Sequence, residues 1–420
     1  METTNEVPPP YDWLVTLYLG GDNDLFNFAD TLLAEAQRVG SSSRVAVVAE
    51  HDPVRPGLPT KRGQIFRGRW DCRDIGLTNG DAESIIDFIG DSKEKFPAAR
   101  RMLVLWDHGN GWQNVHTFEA LADAADQLRF LNLQAIFRQQ PGTDIVCFDS
   151  CLMAMIEIAY ELRDKVKYII ASENVVPADS GWPYEAILRG LTNEPDRDFE
   201  QIVSTIVHGF SGSYNGSDEP ITLSALRLSE AEPTVKAIDA LACALIDGCS
   251  DGSRQKVLFA RRYCQSFGNA DYIDLVSFCE ELERLLPGTE IATEAEKVRT
   301  AVGQLVVTCT RGATPSIRGA HGVSIYYPDR PMSPLYHKLA FAKTKDCRWA
   351  AFLHMVTPDL PAPHDLESPH ELTTQPAATI KPADTPTANP ATPDPIVIPL
   401  LPPQLPGTNG NGSSDHPDHP

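Results

Sequence analysis

The sequence predicts an α/β protein: a mostly parallel sheet flanked by helices, with a helical C-terminal portion and a Pro-rich tail. Three observations carry that prediction. From Trp13 to about Met355, short apolar runs alternate with longer amphipathic ones, the pattern of strands and helices in turn. After Ser172 the pattern becomes mostly helical. From Thr357 onward about a quarter of the residues are proline, no apolar periodicity survives, and eight acidic residues face one base, Lys381.

Candidate strands are Trp13–Leu19, Arg44–Glu50, Arg101–Trp106, Asp144–Phe148 and Lys167–Ala171, each rich in Val, Ile, Leu or aromatics and too short for a good helix. Helices fill the gaps: apolar residues recur at helical spacing in Asn23–Arg38, in Ala82–Ile89 and in Leu152–Leu162. Between the second and third strands, KRGQIFRGRWD reads as a small antiparallel excursion. Further on, Phe199–Phe210, Glu230–Ile246, Tyr272–Leu286 and Ala295–Val306 read as helices. The runs ITLSALRL and GVSIYYP interrupt them and are expected to add strands to the same sheet. One large domain over 11–356 is expected, its helical portion at about 190–310, followed by a disordered tail over 357–420.

With 420 residues and 42% hydrophobic content, the chain can bury a large core. Its formal charge of −21 argues against a nucleic-acid binder, which needs a basic face, and suits a cationic partner or substrate. Nine cysteines are scattered with no C-x-x-C pair, so neither a disulfide framework nor a zinc ribbon is expected. The start has no basic region followed by an apolar one, and no apolar run approaches bilayer length. A soluble, cytoplasmic monomer without a membrane span is the expectation, with export by another route left open.

In a doubly wound sheet, ligands bind outside the carboxyl ends of the strands. Two strand ends carry reactive groups. MLVLWDHGNGW delivers His108 and Gly109 into a loop, and DIVCFDSCLM delivers Asp149 and Cys151 where the helical pattern begins. A thiol must ionise to attack a carbonyl, and an imidazole, helped by a helix N-terminus, lowers its pKa. The imidazole can then return the proton to a leaving amine. Gly109 lets backbone N–H groups come close to a carbonyl oxygen, so the Gly109 and Cys151 N–H groups are the candidate oxyanion donors. Free cysteines are often buried and strand-end histidines often structural, so position alone does not settle the dyad. Cys147, inside the strand, is expected to be buried and inert.

At these residues the sequence resembles the clostripain-like cysteine peptidases, relatives of caspases, legumains and gingipains with a caspase-like α/β fold. The resemblance runs over about 11–356. It includes LYLGGDNDL, LVLWDHGNGW, FDSCLMAMIEIAYEL, SENVVPADSGWPY and the late GVSIYYP run with its YHKLAFA continuation. It implies a cysteine endopeptidase with His108 and Cys151 as the catalytic pair. Asp149 falls where the family places the acid of the S1 pocket, which implies protein or peptide substrates cut after Arg, with Lys second. Asp179 matches a second acidic position of that pocket, and an Asx-type turn before Gly181 is the competing account. Asp107 is expected to be structural or capping, and Glu173 to serve the pocket or a loop hydrogen bond.

Asp22, Asn23 and Asp24 read most simply as N-capping residues. No metal ligands and no required cofactor are expected. Some family members need calcium, and with acidic loops but no EF-hand spacing that dependence stays open. Many relatives are zymogens that cut themselves between the histidine and cysteine strands. Here that spacer offers Arg129 and Arg138, in a stretch that otherwise reads as a helix, and Arg129 is the expected cut. The competing class is a catalytically silent caspase-like module that binds a basic partner, against which the intact His-Gly and Asp-x-Cys motifs count.

Overall fold

The structure is a computed structural model and describes residues 10–21, 25–53, 58–77, 82–113, 130–179, 181–345 and 347–357. The proposed tail beyond Thr357, Arg129 and the Asp22–Asp24 cluster lie outside the described residues.

Strand β1 (Tyr11–Gly21) leads to helix α1 (Phe26–Val39), then β2 (Val45–Pro53), the hairpin of β3 (Lys61–Phe66) and β4 (Arg69–Asp74), and α2 (Ala82–Lys95). Next come β5 (Ala98–Trp106), α3 (Phe130–Gln139), β6 (Ile145–Asp149), α4 (Ile156–Leu162) and β7 (Tyr168–Ala171). Helices α5 (Tyr184–Asn193) and α6 (Phe199–Ser213) precede β8 (Thr222–Arg227), followed by α7 (Ala231–Gly248) and α8 (Arg254–Tyr263). The chain continues through β9 (Tyr272–Asp274), α9 (Leu275–Leu285), α10 (Glu290–Leu305), β10 (Val306–Arg311), β11 (Ser324–Tyr326), α11 (Ala340–Lys343) and α12 (Trp349–Val356).

Nine strands form one sheet in the order β10-β8-β7-β6-β5-β1-β2-β3-β4. Its five central strands are parallel, from β2 through β1, β5 and β6 to β7, and the outer ones are antiparallel. Parallel strands are covered on both faces, so nearly every residue in them is apolar. Alternation then sorts the side chains. In β5, Leu103 and Leu105 enter one core with α2, α3, α4 and α7, while Met102, Val104 and Trp106 enter the other with α1, α5 and α6. On α1 the buried residues Ala29, Leu32, Leu33 and Ala36 lie at helical spacing along one stripe. Helices α7, α9, α10 and α12 share the first core with the sheet.

The expected strands are all present, and KRGQIFRGRWD forms the β3–β4 hairpin, pairing through β2 onto the sheet edge. ITLSALRL supplies β8, which joins the main sheet as expected. GVSIYYP does not: β11 pairs with β9 in a separate two-stranded sheet. The reason is that the edge of β11 is occupied by the chain after β6, to which Ser324 N donates at Ala154 O, 2.8 Å. The expected helix Tyr272–Leu286 is also divided. Asp274 accepts from Ser277 N at 2.6 Å and caps α9, which leaves Tyr272–Asp274 extended as β9.

Candidate active site

Strands β5 and β6 pair in parallel with Trp106 opposite Asp149. Two residues past that rung lie His108, after β5, and Cys151, after β6, so the register brings both loops to the same carboxyl edge of the sheet. Gly109 seals the contact. A Cβ there would collide with the Cys151 carbonyl oxygen and lie 3.0 Å from Cys151 N and from Ser150 Cβ, so only glycine allows this approach. Asp107 is buried and its Oδ1 accepts from His108 N at 2.5 Å, a cap on the turn.

The helix after Cys151 starts later than the pattern predicts. Residues 151–155 are not helical and α4 begins at Ile156, so the thiol does not sit on a helix N-terminus. The cause is pairing with the chain after β7: Leu152 N donates to Asn174 O at 3.1 Å and Ala154 N to Ser172 O at 2.9 Å. Leu152 has φ 65°, the only non-glycine residue with positive φ among the described residues. A leucine held there costs about 1–3 kcal/mol, and such strain clusters at functional sites.

Cys151 is half-buried, and Val176 N donates to its Sγ at 3.4 Å. Burial pushes the thiol above its ordinary pKa and the Asp149 charge adds to that, while the Val176 N–H acts in the opposite direction. Cys147 is fully buried in β6 and its pKa is raised further by desolvation. All nine cysteines are free thiols.

Asp149 ends β6 and is 3% exposed. Burial lifts its carboxyl to about 7, opposed by the hydroxyl of Tyr184, which donates to Oδ2 at 2.8 Å. Asp179 is exposed on the loop before α5. Glu173 is buried and makes a loop hydrogen bond: Gly322 N donates to its Oε2 at 2.7 Å. Burial, with Asp274 beside it, pushes Glu173 well above the usual carboxylic range.

Sequence reasoning missed several residues that shape this site. Tyr184 meets Asp149 across 35 positions, and Tyr272 Oη donates to Asn110 O at 2.7 Å across 162. Only GWPY, within the family-like PADSGWPY stretch, carried any signal for Tyr184. Among the described residues, no group of three or more His, Cys, Asp or Glu side chains is placed to hold a metal ion. No helix among them is long and apolar enough to cross a membrane.

This architecture is that of solved cysteine proteases. The secreted C11 cysteine protease from Bacteroides thetaiotaomicron in complex with an irreversible peptide inhibitor is similar with a TM-score of 0.61 at 17% identity, covering 82% of this chain and 99% of that one. The inactive zymogen C11 protease from Parabacteroides distasonis gives 0.59 at 20% identity, covering 80% and 99%. No curated protein matches the sequence. The profile of the clostripain family, peptidase family C11, matches residues 17–356. The chain belongs to the clostripain family and is a cysteine-type peptidase, with proteins or peptides as substrates.

Proposed function

We propose that the chain is an endopeptidase that cuts after arginine, and less readily after lysine, through Cys151 and His108. The observation that carries this reading is the matched pair of strand ends, with His108 and Cys151 two residues past the Trp106–Asp149 rung and Gly109 packed on the Cys151 backbone. In the first step the thiol proton passes to His108 as Sγ attacks the scissile carbonyl carbon. The C–N bond then breaks, His108 gives the proton to the leaving amine, and a thioester remains. Water, deprotonated by His108, attacks the thioester, releasing the acid and restoring the thiol. The backbone N–H groups of Gly109 and Cys151 receive the oxyanion.

Asp149 supplies the basic preference. A guanidinium within reach favours its carboxylate over the neutral acid, and the planar donors of Arg fit a carboxylate better than the point charge of Lys. Asp179 adds a second negative charge on the exposed loop. Self-processing follows Arg129 in the spacer. Arg138 sits in the last turn of α3, where helical backbone resists a protease cleft. The chain works as a monomer, without a required cofactor, and its nine free thiols favour a reducing compartment.

The test is a panel of Arg-, Lys- and Asp-terminated fluorogenic peptides, run on wild type, on Cys151→Ala and with a chelator of divalent cations. Wild type that cleaves no basic peptide defeats the specificity, and activity in Cys151→Ala defeats the mechanism. Loss of activity with chelator, restored by calcium, defeats the cofactor-free reading. Wild type that stays a single band while it turns over an Arg peptide removes self-processing.

A further inference from the structure

Strand β11 lies under both limbs of the site. The N–H groups of its alternate residues all point one way: Gly322 N donates to Glu173, Ser324 N to Ala154 O, and Tyr326 N to Glu157 Oε1 at 2.9 Å. Met155 and Ser324 form a parallel bridge, so the cysteine loop continues along this strand. Glu157, in the first turn of α4, is fully buried, and its Oε1 also accepts from the Tyr336 hydroxyl at 2.8 Å.

Those two tyrosines form an aromatic cage. Trp112, four residues after His108, packs edge-on between Tyr326 at 5.2 Å and Tyr336 at 5.1 Å between ring centroids. The same loop is held at Asn110, whose carbonyl accepts from Tyr272 and whose Oδ1 accepts from Asn269 Nδ2 at 3.0 Å. Gly111 lies so close to Met155 and Tyr272 that a Cβ would be 2.7 Å from the Tyr272 ring and would overlap the Met155 sulfur.

A carboxyl is an expensive choice for such a place. Burial lifts Glu157 to about 7, and its Oε2 has no hydrogen-bond partner among the described residues. An apolar side chain there would leave the buried Tyr326 N–H and Tyr336 hydroxyl without their acceptor, so what the acid contributes is the tie between those two groups. A carboxyl does provide one acceptor that holds a strand N–H and a phenol in a fixed relation to each other. We propose that Glu157 is a positioning residue of the peptidase: through Tyr326 and Tyr336 it sets the cage around Trp112 that holds the histidine loop against the cysteine loop. Glu157 touches neither substrate nor reacting atoms. The inference rests on the Cys151/His108 reading.

The experiment compares full-length wild type with Glu157→Gln, Glu157→Leu and Tyr336→Phe, measuring kcat and KM on an Arg-terminated fluorogenic peptide over pH, with near-UV circular dichroism as the check on folding. Glu157→Leu is expected to lower kcat tenfold or more with KM within twofold, and to shift the limb of the kcat profile that reports the Cys/His pair. Tyr336→Phe is expected to lower kcat three- to tenfold in the same way. Glu157→Gln keeps the accepting oxygen and is expected within threefold of wild type. Folded Glu157→Leu or Tyr336→Phe with wild-type kcat overturns the proposal, as does Glu157→Gln failing as badly as Glu157→Leu. If Glu157→Leu does not fold, Tyr336→Phe, which deletes one hydroxyl, decides. Cys151→Ala separates the two levels: an active Cys151→Ala sinks the dyad, whereas an inactive one beside a fully active Tyr336→Phe sinks this inference alone.

Discussion

Replacing Asp149 by Asn removes a charge that the fold holds in an unfavourable place. The carboxyl stands at about 7 in the folded chain against an ordinary 3.8, because burial penalises the ionised form. Below about pH 4 it is protonated in both states and contributes nothing to the pH dependence. Between about 4 and 7 the unfolded chain ionises and the folded chain does not, so the folded state binds more protons and stability falls by about 1.4 kcal/mol per pH unit. Above about 7 both forms are ionised, and the accumulated penalty levels at about 4 kcal/mol. Asn is neutral throughout and still offers Tyr184 an acceptor, so Asp149→Asn matches wild type at pH 4 and exceeds it by about 4 kcal/mol at pH 8. For a domain of this size that is about 5 °C in Tm. Thermal and urea unfolding from pH 4 to 8, both proteins in a Cys151→Ala background to prevent self-cleavage, give the difference. Glu157 and Glu173 titrate alike in both and cancel. The same substitution removes the partner of a basic substrate residue, so the more stable variant loses its preference for Arg over uncharged peptides. A stability difference that stays constant with pH, or one that favours Asp149 at pH 8, refutes the reasoning.

Other outcomes follow from the same geometry. Gly109→Ala forces a methyl onto the Cys151 backbone, so the two loops must shift apart: kcat on an Arg peptide drops about 100-fold and the unfolding midpoint falls with it. Tyr184→Phe removes the hydroxyl that donates to Asp149 Oδ2, so the carboxyl titrates higher still. KM for Arg peptides then rises severalfold at pH 6–7 and converges on wild type by pH 9 in steady-state assays. Cys151→Ala and His108→Ala each lower kcat by at least about 10⁴-fold, and the double variant is no worse than either, because the pair acts as a unit.

The two strand ends of the candidate site could be read along the chain because each is local in sequence. The apolar runs to Trp106 and to Phe148 stop where polar residues begin, and strand register sets Trp106 opposite Asp149. The start of α4 was misread because the Leu152–Leu162 periodicity is real, yet the first of these residues are claimed by carbonyls of Ser172 and Asn174. GVSIYYP looked like one more sheet strand because alternation reports only that residues are extended. It does not say whether the strand's N–H groups meet another strand or the side chains of Glu157 and Glu173. The partnership of Asp149 with Tyr184 was out of reach for a similar reason: either residue alone is ordinary, and their 2.8 Å contact exists only after the fold has formed.

The strand that underlies both limbs of the site arrives late in the chain. Glu157 and Tyr326 are separated by 169 residues, so a chain emerging from the ribosome carries its nucleophile and base long before the segment that ties their loops together. At about 5–20 residues per second, that interval lasts roughly 10 to 30 s. During it the sheet can form while the two loops lack their common anchor. On the proposed reading a nascent molecule holds the candidate reacting groups without their common anchor, and a truncation product that ends before Gly322 is expected to be inactive on an Arg peptide.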